Sequence, residues 1–105
     1  MYRKTKYILT KVFGDTVRIK ILEILLESSM EEEIKWLNIS EIAKIAGIST
    51  SSSKRIVDEL IDENIAEKKP IQTHARNPEK EIHLNLDNKI VNELIFFYRK
   101  LRGLI

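Results

Sequence analysis

The stretch Ile39-Ser40-Glu41-Ile42-Ala43-Lys44-Ile45-Ala46-Gly47-Ile48-Ser49-Thr50-Ser51-Ser52-Ser53-Lys54-Arg55-Ile56-Val57-Asp58-Glu59-Leu60-Ile61 spells a helix, a tight turn and a second helix. Ser40 offers a hydroxyl to the orphan N–H groups of a first turn, and Ile42, Ala43, Ile45 and Ala46 follow at helical spacing. Gly47 ends that helix, since glycine takes the left-handed conformation a short turn requires. Ile48 then returns to the core, and Ser49 or Thr50 caps the next helix. At about 100° per residue, Ile56, Val57, Leu60 and Ile61 share one face, with Ser53 in its middle. The opposite face is divided. Its first half carries hydroxyls and cations (Thr50, Ser51, Ser52, Lys54, Arg55), its second half acids (Asp58, Glu59, Asp62, Glu63).

A helix so divided points its N-terminal end at a polyanion, where the helix dipole and free N–H groups favour phosphate. A helix that reads a DNA major groove is presented in this way. The spacing of Ala43, Gly47, Ile48 and Ile56 resembles that of the winged helix-turn-helix regulators, in the broad style of the ArsR and MarR families. Such families usually place Val or Ile where Ser53 stands, so the two helices should meet through a smaller or closer contact here. Without the resemblance, the same residues also suit two core helices joined by a glycine turn.

Working outward, 105 residues at 43% hydrophobic content predict one domain, 1–105, with a single modest core. The absence of cysteine excludes disulfides and thiolate metal sites and predicts an intracellular protein, cytoplasmic and, if it binds DNA, nucleoid-associated. No apolar run reaches the ~20 residues of a membrane span, and the basic N-terminus lacks the apolar core of a signal peptide. The net charge of +2 is a weak sign of a nucleic-acid partner. Its distribution says more: Arg3, Lys4, Lys6, Lys11, Arg18 and Lys20 face a lone Asp15, whereas Glu23, Glu27 and Glu31 to Glu33 predict an acidic patch. Abundant Ile, Lys and Glu point to a thermophilic or archaeal source.

Upstream, Tyr2 to Phe13 reads as a helix ending at Gly14, with Tyr7, Ile8, Val12 and Phe13 as burial candidates. Asp15 or Thr16 opens a second helix to about Ser28, where Val17, Ile21, Ile24 and Leu25 form a stripe that Ile19, Leu22 and Leu26 widen past half the circumference. A helix that apolar requires cover on two sides. The order of Asp15, Arg18 and an Ile-Leu-rich helix also resembles the opening of ArsR-like domains, and Arg18 is read as structural. Ile34 to Ile39 reads as a short strand, with Trp36 as the lid of a local core or an exposed ring at a partner surface.

Downstream, Ile65 to Ile71 and Glu81 to Leu86 read as two antiparallel strands, Ile82, Leu84 and Leu86 alternating with Glu81, His83 and Asn85. The resemblance makes 65–86 the wing, and Lys68, Lys69, His74, Arg76 and Lys80 its candidate contacts to DNA backbone or minor groove. Asp87 should cap a last helix to about Arg102, whose Ile90, Val91, Leu94, Ile95, Phe97, Tyr98 and Leu101 span half the wheel. That is more apolar surface than a short domain covers. A two-fold homodimer through both chain ends is therefore expected, with Tyr7, Ile8, Val91, Leu94, Ile95, Tyr98 and Leu101 at the interface.

The chemistry of enzymes is missing. The two histidines, His74 and His83, both fall in the hairpin, and no phosphate-cradling glycine loop or nucleophile elbow is visible. Neighbouring acids do not converge on one ion, and two histidines are too few for a closed zinc site, so neither metal nor cofactor is expected. The fold expected is mainly α with a small antiparallel β-hairpin wing: a helix-turn-helix at 39–64, the wing at 65–86 and dimerisation helices at both ends, the C-terminal one at 87–105. The function expected is a sequence-preferring regulator of transcription that binds double-stranded DNA as a homodimer. Thr50, Ser51, Ser52, Lys54 and Arg55 would lie at the groove, and two reading helices about 34 Å apart would span successive major grooves. Two readings compete: a nucleoid-organising protein with little sequence preference, and a winged helix that binds proteins. No effector ligand can be read from these residues.

Overall fold

The computed structural model describes residues 8–30, 37–70 and 80–104. In chain order they form α1 (Ile8–Phe13), α2 (Val17–Met30), α3 (Ile39–Ala46), α4 (Thr50–Asp62), β1 (Ala66–Pro70), β2 (Lys80–Leu84) and α5 (Lys89–Leu104). The wide apolar girth of α2 is accounted for by its neighbours, because α1, α3, α4 and β2 all pack against it. Ile21, Ile24, Leu25 and Leu26 of α2 enter one cluster with Leu9, Leu37, Ile42, Ile56, Val57, Leu60, Ile82, Leu84, Val91 and Tyr98.

The helix-turn-helix has the predicted turn and a different cap. The N-cap of α3 is Asn38, two residues before Ser40: Asn38 Oδ1 accepts from Glu41 N–H at 2.8 Å and Glu41 Oε1 accepts from Asn38 N–H at 3.1 Å. This reciprocal capping box satisfies two orphan donors at once, which a lone Ser40 hydroxyl cannot do. Ile39 therefore belongs to the helix rather than to the predicted strand, of which the described part is Leu37 in an isolated bridge to Ile82. Gly47 sits at φ 73°, and Ile48 N–H closes the helix end on Ala43 C=O at 3.0 Å. Ser49 caps α4 by accepting from Ser52 N–H at 3.1 Å. Ser53 is buried where the two helices cross, and its hydroxyl donates to Ile39 C=O at 3.1 Å.

β1 and β2 pair antiparallel with Glu67 opposite His83 and Lys68 opposite Ile82. Ile82 and Leu84 point inward, whereas Leu86 lies beyond the strand and is exposed. Asn88, not Asp87, caps α5: its Oδ1 accepts from Ile90 N–H at 2.9 Å. Asp87 N–H is itself used by the Asn85 side chain in the preceding turn. α5 runs through Gly103 instead of ending near Arg102.

Two burial expectations change. In α1 it is Ile8 and Leu9 that are buried, while Val12 and Phe13 face outward. Glu23, expected on an acidic surface, is 0% exposed. Its carboxylate accepts from Ile8 N–H at 2.7 Å and from Leu9 N–H at 2.8 Å, so a side chain of α2 caps the start of α1. Tyr98 completes the arrangement, its hydroxyl donating to Glu27 Oε1 at 2.6 Å and lying 3.0 Å from Glu23 Oε2. Arg102 Nε in turn meets Glu27 Oε1 at 3.2 Å. Burial, the hydrogen bond to Glu27 and the nearby Glu23 charge push the Tyr98 hydroxyl far above the ordinary tyrosine range.

Candidate nucleic-acid interface

The outward face of α4 carries Thr50, Ser51, Lys54 and Arg55 exposed, with Ser52 partly so. They protrude because the opposite stripe, Ser53, Ile56, Val57 and Leu60, is spent on α2 and α3. Ser52 and Ser51 are drawn toward the cap, Ser49 Oγ donating to Ser52 Oγ at 2.9 Å and lying 3.3 Å from Ser51 Oγ. Both cations are tied to acids one turn further along the helix. Lys54 Nζ lies 2.6 Å from Asp58 Oδ2 and Arg55 Nη1 lies 3.4 Å from Glu59 Oε2. Glu59 is shared: Arg18 of α2 reaches its Oε1 at 3.3 Å and Glu63 Oε1 at 2.6 Å, which joins the central helix to the acidic end of α4.

Strand alternation separates the two lysines of β1, which the sequence had grouped. Lys68 shares its face with the buried Ala66 and comes beside α4, where Asn38, Ile39, Ser40, Lys54, Val57, Asp58, Lys68 and Ile82 line a groove of about 350 Å³. Lys69 lies on the other face of the strand, 3.7 Å from Glu67 Oε1, which also faces His83 Nε2 at 3.2 Å. The structure thus brings Lys68 together with Lys54 and sends Lys69 elsewhere. His74 and Arg76 lie outside the described residues, as do Trp36, Tyr7 and the side chain of Lys80. Asp58 and the floor of this groove were not among the expected site residues. The signal available was the i, i+4 spacing of Lys54 and Asp58, which places the acid beside the cation.

Of the residues expected at a dimer interface, Ile8, Val91 and Tyr98 are buried within the single chain and have no surface to give a partner. Val91 and Tyr98 belong to the apolar core cluster, and Glu23 holds Ile8 N–H and faces the Tyr98 hydroxyl from α2. Leu94, Ile95 and Leu101 keep partial exposure against the core. The exposed large apolar side chains of the two helices are Val12, Phe13, Ile90, Phe96 and Phe97. Phe13 and Phe97 meet across the helices with ring centroids 6.5 Å apart.

Among the described residues no group of three or more His, Asp or Glu side chains could hold a metal ion. No described helix is long and apolar enough to cross a membrane.

A mainly helical chain whose helix-turn-helix is followed by an antiparallel hairpin and a long last helix has the winged-helix fold, and comparison with solved structures agrees. RV1404 from Mycobacterium tuberculosis superposes with a TM-score of 0.60 at 19% identity, over 95% of this chain and 64% of that one. A MarR family transcriptional regulator from Silicibacter pomeroyi gives 0.59 at 17% identity, over 95% and 60%. MarR from Escherichia coli gives 0.58 at 13% identity, over 95% and 73%. The chain thus spans less than two thirds of the first two structures. No protein-family model and no curated protein sequence matches it.

Proposed function

We propose that the chain is a transcriptional regulator that binds double-stranded DNA as a homodimer and prefers particular sequences. The observation that carries this reading is the α4 N-terminal half: Thr50, Ser51, Lys54 and Arg55 stand exposed at the capped end of a helix whose other face is buried. Arg55 is the base reader, since a guanidinium spans guanine O6 and N7, and its Glu59 contact of 3.4 Å in the exposed pair is weak enough to be given up. Lys54 and Lys68, which flank the groove beside α3, take phosphates on the edge of the same major groove. His74, Arg76 and Lys80 extend the contact along the wing.

The homodimer joins two such helices. Its surface is the outward row of Phe13, Phe97 and Ile90 on α1 and α5, the apolar area left over once Glu23 and Tyr98 have been satisfied within the chain. Selection of bound sequences from a pool of random duplexes, followed by titration of the enriched site, tests the reading. Arg55→Ala is expected to weaken the enriched site by roughly 1–3 kcal/mol and to relax the preference at one base pair. Equal binding to every duplex would favour an architectural role, and no binding to any duplex at low salt would leave a protein-binding winged helix.

A further inference from the structure

The reading helix turns from cationic to acidic at Asp58, and that acid shares a groove with Lys54 of the same helix and Lys68 of β1. Asp58 lines the groove with Lys54, Lys68, Asn38 and Ser40, and its side chain is 41% exposed there. Its position differs from that of Glu59, one residue on. Glu59 is held by Arg18 from the central helix, so it keeps a cation when Arg55 swings away. The ion pair of Asp58 is with Lys54, the same lysine the proposed interface sends to a phosphate. Lys68, also in the groove, makes no ion pair among the described residues.

The Lys54–Asp58 pair adds little to stability. An exposed i, i+4 pair contributes a few tenths of a kcal/mol, and a polar residue at position 58 would keep the helix. A carboxylate beside a phosphate-binding lysine opposes binding to any polyanion, unless the bound site supplies a hydrogen-bond donor. In the major groove the donors are exocyclic amines, and the one that suits a carboxylate is cytosine N4.

We propose that Asp58 is a specificity-determining residue of the reading helix: unbound it neutralises Lys54, and on DNA it accepts from a cytosine N4 amine while Lys54 turns to a phosphate. This rests on the proposed DNA-binding function. At a matching site the carboxylate is satisfied. At a mismatched site it stands bare among phosphates, so discrimination comes from a penalty on the wrong sequence as much as from attraction to the right one.

The test compares the full chain with Asp58→Asn and Glu59→Gln by selection from random duplexes and by titration at two salt concentrations. Wild type should enrich a cytosine at one position of each half-site. Asp58→Asn should lose that cytosine and bind random duplex about fivefold more tightly, as expected for removing one charge near a phosphate. Its affinity for the enriched site should stay the same or fall, so the ratio of specific to random binding drops. Glu59→Gln, at a position that keeps its Arg18 contact when Arg55 leaves and does not line the groove, should leave the ratio within about twofold. Equal gains by Asp58→Asn on both duplexes, or an unchanged cytosine preference, would overturn the assignment of Asp58 and leave the DNA-binding function standing. Absence of binding by wild type to any duplex at low salt would overturn that function, and the assignment with it.

Discussion

At the scale of single residues, Glu23 and Tyr98 tie α1, α2 and α5 together by hydrogen bonds across the apolar core. A carboxylate removed from water is costly unless its oxygens are satisfied, and here two backbone N–H groups and a phenol near hydrogen-bond distance surround it. Tyr98→Phe removes the hydroxyl between Glu23 and Glu27 and should cost about 1–3 kcal/mol in urea unfolding at neutral pH. It should also change the response to alkali. The folded-state pKa of Tyr98 is raised, so its contribution is complete below the unfolded-state value of ~10. Above that pH the unfolded chain releases the proton and the folded one retains it, so stability falls by up to about 1.4 kcal/mol per pH unit. Melts at pH 8 and pH 11 should therefore separate wild type from Tyr98→Phe, the variant having the shallower slope. Equal slopes would mean that the hydroxyl ionises freely in the folded chain.

At the scale of elements, the caps and the turn determine how α3 presents α4. Asn38 and Glu41 close the α3 N-terminus reciprocally, so Asn38→Ala should cost about 0.5–2 kcal/mol, whereas Ser40→Ala should be close to neutral in the same unfolding experiment. The reverse order would restore Ser40 as the cap. Gly47 adopts φ 73°, and an added Cβ would meet no atom within 4 Å. Gly47→Ala therefore isolates the backbone penalty of a left-handed residue, expected at about 1–2 kcal/mol by thermal or urea unfolding. A neutral result would show that the turn relaxes to another conformation. The helix, turn and helix were legible because glycine and apolar spacing are local signals. The N-cap was not, since Ser40 and Asn38 both belong to the residue types that cap, and the choice fell to whichever had a glutamate three residues on.

At the scale of the whole molecule, the question is where the apolar surface left by the core is spent. Phe13 is 57% exposed and Phe97 41%, and their rings meet between α1 and α5. If this row joins two copies, Phe97→Glu should sediment as a monomer with an unchanged melting curve at low concentration. It should also bind the enriched duplex more weakly than wild type, because one reading helix then acts alone. Val91→Glu, at a position 1% exposed, should instead unfold the chain. A Phe97→Glu variant that sediments as a dimer would remove the aromatic row from the interface.

By itself the sequence determined the helix-turn-helix, the hairpin and the divided face of α4, because periodicity, glycine position and strand alternation act between residues close in the chain. Tertiary structure alone decided the fate of Glu23, the split of Lys68 from Lys69 between two surfaces, and the choice of Leu9 over Phe13 for the interior. Those outcomes depend on partners remote in sequence: Tyr98 lies 75 residues from Glu23, and a charged side chain can be buried only where such donors converge on it.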